Sequence, residues 1–301
     1  MKHVVWTQWA DLQVPEGMIR LSPENSPLES SDLSQITFFV PPYMGGKGAL
    51  DYSRQMPNLK ILQMPNSGYD DALAYLRPEI TLCNGRGIHD ASTAELAVGL
   101  TIASLRGFPQ FVRDQEMGKW QHARYRSIND RKIGIVGFGS IGQTIARNLS
   151  GFDVEVMGFS KSGRDGSIKM AEFERFLPDL DVVILILPLT DETRGLFDAR
   201  LFSLMKDGAL LINVARGAIV VTADLIAELN TGRITAALDV TDPEPLPPEH
   251  PLWSAKGVFI SPHVGGNTSA FEPRARKLIE AQLERLAAGI PLENIIVQGV
   301  Q

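Results

Sequence analysis

Residues Ile133-Gly134-Ile135-Val136-Gly137-Phe138-Gly139-Ser140-Ile141-Gly142 decide the fold. Ile133–Val136 reads as a buried strand, a Gly-x-Gly-x-x-Gly turn follows at once, and Gly142–Leu149 continues as a helix-compatible segment. Alone, the glycine pattern is weak, because 301 residues hold 27 glycines. The strand before it and the helix after it supply the context that gives the spacing meaning. Gly137 permits the tight turn, Gly139 lets the backbone approach a pyrophosphate, and Gly142 allows close packing of helix on strand. The start of the helix, at Ser140 and Ile141, offers free N–H groups to that anion. The competing reading is a tight turn that binds nothing.

Working outward on both sides, further short apolar runs recur: Val154–Phe159, Val182–Leu187, Ala209–Val214, Ile234–Val240 and Val258–Ile260. Continuous runs of this length suit parallel strands buried on both faces. With Ala223–Leu229 as another intervening helix, the sum is an α/β fold of Rossmann type, a doubly wound parallel sheet. Upstream, Val4–Trp6, Ile36–Val40, Lys60–Met64 and Ile80–Cys83 are strands closed by turn residues, which predicts a second, smaller α/β unit. His89–Leu105 carries apolar residues at helical spacing and predicts a connecting helix; Arg274–Ala288 predicts a last helix returning to the first unit.

The end of the strand after the glycine turn bears on cofactor choice. An acidic residue there would bind a ribose 2′-hydroxyl and repel a 2′-phosphate. Here Val154–Phe159 runs into Ser160-Lys161-Ser162-Gly163-Arg164, with Glu155 too early and Asp165 out in the loop. Ser160, Lys161 and Arg164 suit a 2′-phosphate, which favours NADP(H) and leaves NAD(H) as the alternative. A solvated basic loop is the bland counterpart.

Three later segments each place a polar side chain just past a buried strand, where an open parallel sheet gathers its ligand contacts. Asn213-Val214-Ala215-Arg216-Gly217 supplies a cation, Asp239-Val240-Thr241-Asp242-Pro243-Glu244 a carboxylate, and Ser261-Pro262-His263 an imidazole. Hydride transfer to a keto acid needs a cation to hold the carboxylate and polarise the carbonyl. It also needs a proton donor, and a carboxylate to keep that donor charged and aimed. Singly, Arg216 reads as a surface cation, Glu244 as a solvated acid and His263 as a loop histidine. Three behind successive strands beside a dinucleotide turn read as a site.

These residues resemble the D-isomer-specific 2-hydroxyacid dehydrogenase family in its shorter, glyoxylate/hydroxypyruvate reductase-like form. The likeness covers most of the chain: the glycine turn, Leu187-Pro188-Leu189-Thr190 with Thr193, Asn213–Gly217, Leu238-Asp239-Val240 with Glu244-Pro245, and Ser261-Pro262-His263. It implies an NAD(P)-dependent reductase of a small 2-keto acid, giving the D-2-hydroxy acid. Arg216 would bind and polarise the substrate, His263 donate the proton and Glu244 partner His263. Ser67 and Gly68 would hold the substrate carboxylate. Asp239 would meet the nicotinamide carboxamide, with Leu187, Pro188, Thr193 and Gly265 also beside the cofactor. The substrate domain, flavodoxin-like, would comprise residues 1–95 and 274–301 around a dinucleotide-binding domain at 96–273. A homodimer is implied, with 119–128 as part of its contact. Arg86 is either structural or a substrate contact.

Two alternatives remain on sequence grounds. A formate- or phosphite-oxidising relative would keep the fold with different chemistry; the formate enzymes carry Gln in place of the acid that partners the His, and Glu244 argues against that. A cofactor-sensing binding protein of the same fold, without turnover, would carry extra termini for partners.

Composition narrows the setting. The chain is 44% hydrophobic and 21% charged, with a formal net charge of −6. No basic run is long enough to track a phosphate backbone, which argues against a nucleic-acid partner. A single cysteine, Cys83, leaves no disulfide framework and no cysteine-rich metal site. The opening Met1–Trp6 reads as a first strand rather than a signal peptide, and no apolar run would cross a bilayer, so the expected address is the cytoplasm without membrane contact.

Overall fold

A computed structural model describes residues 3–300. The chain divides into two units, Met1–His89 with Ser269–Gln301, and Asp90–Thr268. Sequence reading puts the breaks at 96 and 274; here they fall at Asp90, where helix Asp90–Arg106 begins, and at Ser269, just before helix Phe271–Ala287.

In the first unit the strands are β1 (Val4–Trp6), β2 (Ile19–Leu21), β3 (Phe38–Phe39), β4 (Ile61–Gln63) and β5 (Thr81–Cys83), joined late in the chain by Ile295–Val297. The order from one edge is the Ile295–Val297 strand, then β5, β4, β3, β1, β2. All pairings are parallel except the last strand against β5. The order 2-1-3-4-5 is that of flavodoxin-like sheets. Period-two alternation sorts the strand residues between two cores. Val4, Trp6, Phe39 and Leu62 face one layer with Leu50 and Met56; Val5, Phe38 and Ile61 face helix Phe271–Ala287 through Phe271, Ala275, Ile279 and Leu283. The late helix thus completes the early domain.

The second unit holds β6 (Arg131–Val136), β7 (Val154–Ser160), β8 (Ile168–Lys169), β9 (Val182–Leu185), β10 (Leu210–Asn213), β11 (Thr235–Leu238) and β12 (Val258–Ile260). Numbering the Ile295–Val297 strand β13, the sheet order is β12-β11-β10-β9-β6-β7-β8, parallel throughout. The same alternation separates Val183, Leu185 and Leu211 from Val182, Ile184, Leu210 and Ile212. The first set meets Phe173, Leu201, Phe202, Leu225 and Leu229; the second meets Ala94, Ala97, Leu100, Ile145 and Leu149. Helices on both faces explain why these strands read as unbroken apolar runs. Helix Asp90–Arg106 lies within this unit, where Ala94, Ala97 and Leu100 are buried against the sheet.

The order reverses between β6 and β9, and that reversal sets the place of the site. In open α/β sheets the ligand crevice lies outside the strand C-termini at such a switch.

Candidate active site

Gly137 follows β6 at the switch, with φ of 105°. Its N–H and that of Phe138 donate to the Phe159 carbonyl at 2.9 and 3.0 Å, fastening the turn to β7. A Cβ on Gly137 would strike the Ile186 carbonyl, and one on Gly142 would strike the Gly137 carbonyl. Gly139 differs: a Cβ there would meet nothing within 4 Å. The first and third glycines are therefore needed by the protein's own packing, and the second faces open space. Helix Ser140–Leu149 starts immediately, its N-cap Gly139 providing no side-chain acceptor. Ser140 is exposed and Ile141 half-buried at its first turn. Open space, uncapped N–H groups and a positive helix end together fit a dinucleotide pyrophosphate.

No carboxylate ends β7. Ser160 instead accepts from the Gly163 amide at 3.0 Å and pairs with Ser167 Oγ at 2.7 Å, which folds the Ser160–Arg164 loop on itself. Arg164 is exposed, and its carbonyl accepts from Ser167 Oγ at 2.5 Å. Lys161 Nζ reaches Glu192 at 2.6 and 2.9 Å, an ion pair that sequence reading did not find. Glu192 lies in the loop after β9, and β7 and β9 both border β6, so a carboxylate beyond β9 has a route to the β7 end. That loop is shaped by Thr193 Oγ1, which accepts from the Thr190 amide at 2.8 Å and donates to the Pro188 carbonyl at 2.7 Å. Leu187 is half-buried and Pro188 exposed.

Arg216, Glu244 and His263 come together past β10, β11 and β12. Asn213, at the end of β10, donates to the Arg216 carbonyl at 3.0 Å and accepts the Ala215 amide at 3.1 Å, turning the chain sharply. Arg216 is half-buried, its guanidinium donating to the Ala215 carbonyl at 2.8 Å. Gly217 lies so close to the Thr241 main chain that a Cβ would collide there. The loops after β10 and β11 thus rest directly on one another.

His263 Nδ1 and Glu244 Oε1 lie 2.5 Å apart, with both side chains 39% exposed. The hydrogen bond from His263 holds the Glu244 carboxyl below its ordinary range, against the opposing effect of burial; the His263 and Arg216 charges act in the same direction as the bond. Engagement of Nδ1 fixes the ring and leaves Nε2 as the atom for proton transfer.

Asp239 organises the loop that carries His263. It is 2% exposed. Its carboxylate accepts Ser261 Oγ at 2.6 Å, the Val264 amide at 2.9 Å and the Gly265 amide at 2.8 Å. Its carbonyl accepts the His263 amide at 2.8 Å. These bonds hold His263 at φ of 53°, a left-handed conformation uncommon for a non-glycine residue. At Gly265 a Cβ would come within 3.0 Å of the Asp239 carboxylate.

Ser67 and Gly68 belong to the first unit, in the loop after β4, and are half-buried. Asn84 Nδ2 donates to the Ser67 carbonyl at 2.7 Å, Ser67 Oγ to the Gly85 carbonyl at 3.3 Å, and the Gly85 amide to Asn66 at 2.8 Å. Arg86 is exposed; its amide donates to Asn84 Oδ1 at 3.3 Å and its carbonyl accepts from Asn294 at 3.1 Å. Besides Glu192, Ser167 escaped sequence reading, and Asn213 and Ser261 stood in the quoted segments without a role of their own. Small polar residues at strand ends are too common to be singled out by spacing.

Among the described residues no group of three or more His, Cys, Asp or Glu could hold a metal ion. Among the described residues no helix is long and apolar enough to cross a membrane.

Known proteins resemble this chain in sequence and in fold. The sequence model of the family described as "D-isomer specific 2-hydroxyacid dehydrogenase, NAD binding domain" matches residues 98–265. A glyoxylate reductase/hydroxypyruvate reductase from Mus musculus is 39% identical over 228 residues, covering 70% of this chain and 69% of its own. A D-3-phosphoglycerate dehydrogenase from Archaeoglobus fulgidus is 31% identical over 249 residues, 79% of this chain; the chain spans only 47% of that relative's length. Among solved structures, an NADPH-dependent glyoxylate/hydroxypyruvate reductase from Sinorhizobium meliloti, in complex with NADP and sulfate, superposes with a TM-score of 0.85 at 26% identity. That match covers 99% of each chain.

Proposed function

The chain belongs to the D-isomer specific 2-hydroxyacid dehydrogenase family, and we propose that it reduces a small 2-keto acid of the glyoxylate or hydroxypyruvate kind to the D-2-hydroxy acid. NADPH is the preferred donor in this reading and NADH the alternative. The bound nicotinamide supplies the hydride. The observation that carries the reading is the His263–Glu244 pair, 2.5 Å apart past adjacent strands of the sheet that also bears the open Gly139 turn.

Arg216 binds the substrate carboxylate and polarises the carbonyl oxygen, where its hydrogen bond strengthens as negative charge grows. His263 donates the proton from Nε2 to that oxygen, and Glu244 stabilises the charged ring before the transfer. Ser67 and Gly68 add main-chain N–H donors for the carboxylate. The pyrophosphate rests on Gly137–Gly142, with Ser140 and Ile141 donating from the helix start. Leu187, Pro188, Thr193 and Gly265 border the cofactor. Ser160, Lys161 and Arg164 meet the 2′-phosphate, and the absence of an acid at the end of β7 supports NADPH. Asp239 meets the nicotinamide carboxamide: its carboxylate accepts three bonds from the His263 loop and keeps a further acceptor site for the amide.

A second copy of the chain is the proposed partner. Phe108 (46% exposed), Phe111 (39%), Val112 (58%), Met117 (54%) and Trp120 (97%) are exposed apolar side chains in the second unit, in a stretch that overlaps 119–128. Such a stretch is unusual on a surface that stays wet.

The test is a panel of keto acids (glyoxylate, hydroxypyruvate, pyruvate, phenylpyruvate and oxaloacetate) with each cofactor, followed at the nicotinamide absorbance. Turnover of the small acids, faster with NADPH, supports the reading. Binding of NADPH without turnover of any of them would favour a cofactor sensor.

A further inference from the structure

From the Lys161–Glu192 geometry we infer that Glu192, beyond β9, is a specificity-determining residue for the cofactor, supplying from a neighbouring loop the carboxylate that the end of β7 lacks. The inference rests on the proposed use of a nicotinamide dinucleotide at the Gly137–Gly142 turn.

In a doubly wound sheet the adenosine ribose lies beyond the strand that follows the glycine turn, here β7. Ser160 and Lys161 end that strand. Lys161 is the cation nearest the strand end, and Glu192 takes it with both carboxylate oxygens, at 2.9 and 2.6 Å. Two consequences follow for a nucleotide arriving there. A 2′-phosphate must take Lys161 from Glu192, or share it, and in either case lies a few ångströms from a carboxylate of like charge. A 2′-hydroxyl meets no such repulsion, and can donate a hydrogen bond to the same carboxylate. Glu192 therefore works against the phosphate and in favour of the hydroxyl. It tempers the preference that Ser160, Lys161 and Arg164 create.

The side chains of Lys161 and Glu192 are 83% and 70% exposed. Water and salt screen a pair so placed, so it tunes selectivity and does not decide it outright. Thr193, adjacent to Glu192, bonds to Pro188 and Thr190 and fixes the loop from which the carboxylate reaches out.

The experiment compares wild type with Glu192→Gln, which keeps the side chain's size and removes its charge. Dissociation constants for NADPH and NADH are measured by nucleotide fluorescence, and kcat/KM with each where turnover is seen. The expected result is a rise of roughly two- to fivefold in the NADPH-to-NADH ratio, the scale of one exposed charge pair. The rise is carried by tighter NADPH binding and shrinks as salt is added. A ratio that stays the same or falls overturns the inference, whichever cofactor the wild type prefers. The wild-type ratio separately tests the NADPH reading, so the two can fail independently.

Discussion

The carbonyl of Asp239 accepts the His263 amide at 2.8 Å, and the Asp239 carboxylate accepts the amides of the next two residues, Val264 and Gly265. A buried acid thus holds the main chain on which the proposed proton donor sits, at a left-handed φ uncommon among non-glycine residues.

Asp239→Asn is expected to loosen that loop. An amide has one oxygen where the carboxylate offers two, so its nitrogen would face a main-chain donor. Loss of a buried hydrogen bond to a charged group costs about 1.5–3 kcal/mol of stability. Thermal unfolding should show a lowered Tm, and kcat should fall more than KM for the keto acid rises. An unchanged Tm and kcat would show that the clamp is not needed.

Glu244 yields a pH prediction. Its carboxyl is held below the ordinary range chiefly by the His263 bond. A folded-state value lowered in this way contributes stability that is present above the unfolded-state value and lost as pH falls through the folded one. The stability difference between wild type and Glu244→Gln should therefore shrink in acid, below about pH 4. In the same variant kcat for keto-acid reduction should fall, because the carboxylate that orients the His263 ring is gone. Parallel stability curves and an unchanged kcat would contradict the pairing.

The three turn glycines should separate. Gly139→Ala meets nothing within 4 Å, at an ordinary backbone conformation with φ of −83°. It should fold with an undiminished Tm yet bind NADPH at least about tenfold more weakly, since the added methyl stands where the pyrophosphate approaches. Gly137→Ala and Gly142→Ala should lose stability outright, because their methyl groups meet main-chain carbonyls. Undiminished NADPH affinity in Gly139→Ala would count against the proposed pyrophosphate position.

The exposed apolar side chains from Phe108 to Trp120 are expected to close a homodimer. Sedimentation should give twice the chain mass for wild type, and Val112→Asp should shift the protein towards monomer. A wild-type monomer at micromolar concentration would contradict the dimer.

Much of this was legible in the sequence, for physical reasons. Strands β9 and β10 are buried on both faces, so Val182–Leu185 and Leu210–Ile212 had to be continuous apolar runs, and they read as such. Arg216, Glu244 and His263 were findable because a parallel sheet delivers strand ends to one edge. Strands β2, β8 and β13 were not found. They are edge strands of two or three residues, each with at least one exposed position, and carry no run or alternation that stands out. The Lys161–Glu192 pair was hidden for another reason: it joins loops 31 positions apart through a sheet order that chain order does not reveal. The work of Asp239 on the His263 loop is likewise a tertiary fact, 24 positions from the histidine it supports.

The most direct test of the central claim is Arg216→Lys beside wild type, in steady-state reduction of glyoxylate and hydroxypyruvate with NADPH. The ammonium of Lys cannot reproduce the two-pronged contact of a guanidinium with carboxylate and carbonyl oxygen. The expected loss in kcat/KM is roughly 2–4 kcal/mol, shared between kcat and KM, with NADPH affinity nearly unchanged. Turnover that survives the substitution intact would contradict it.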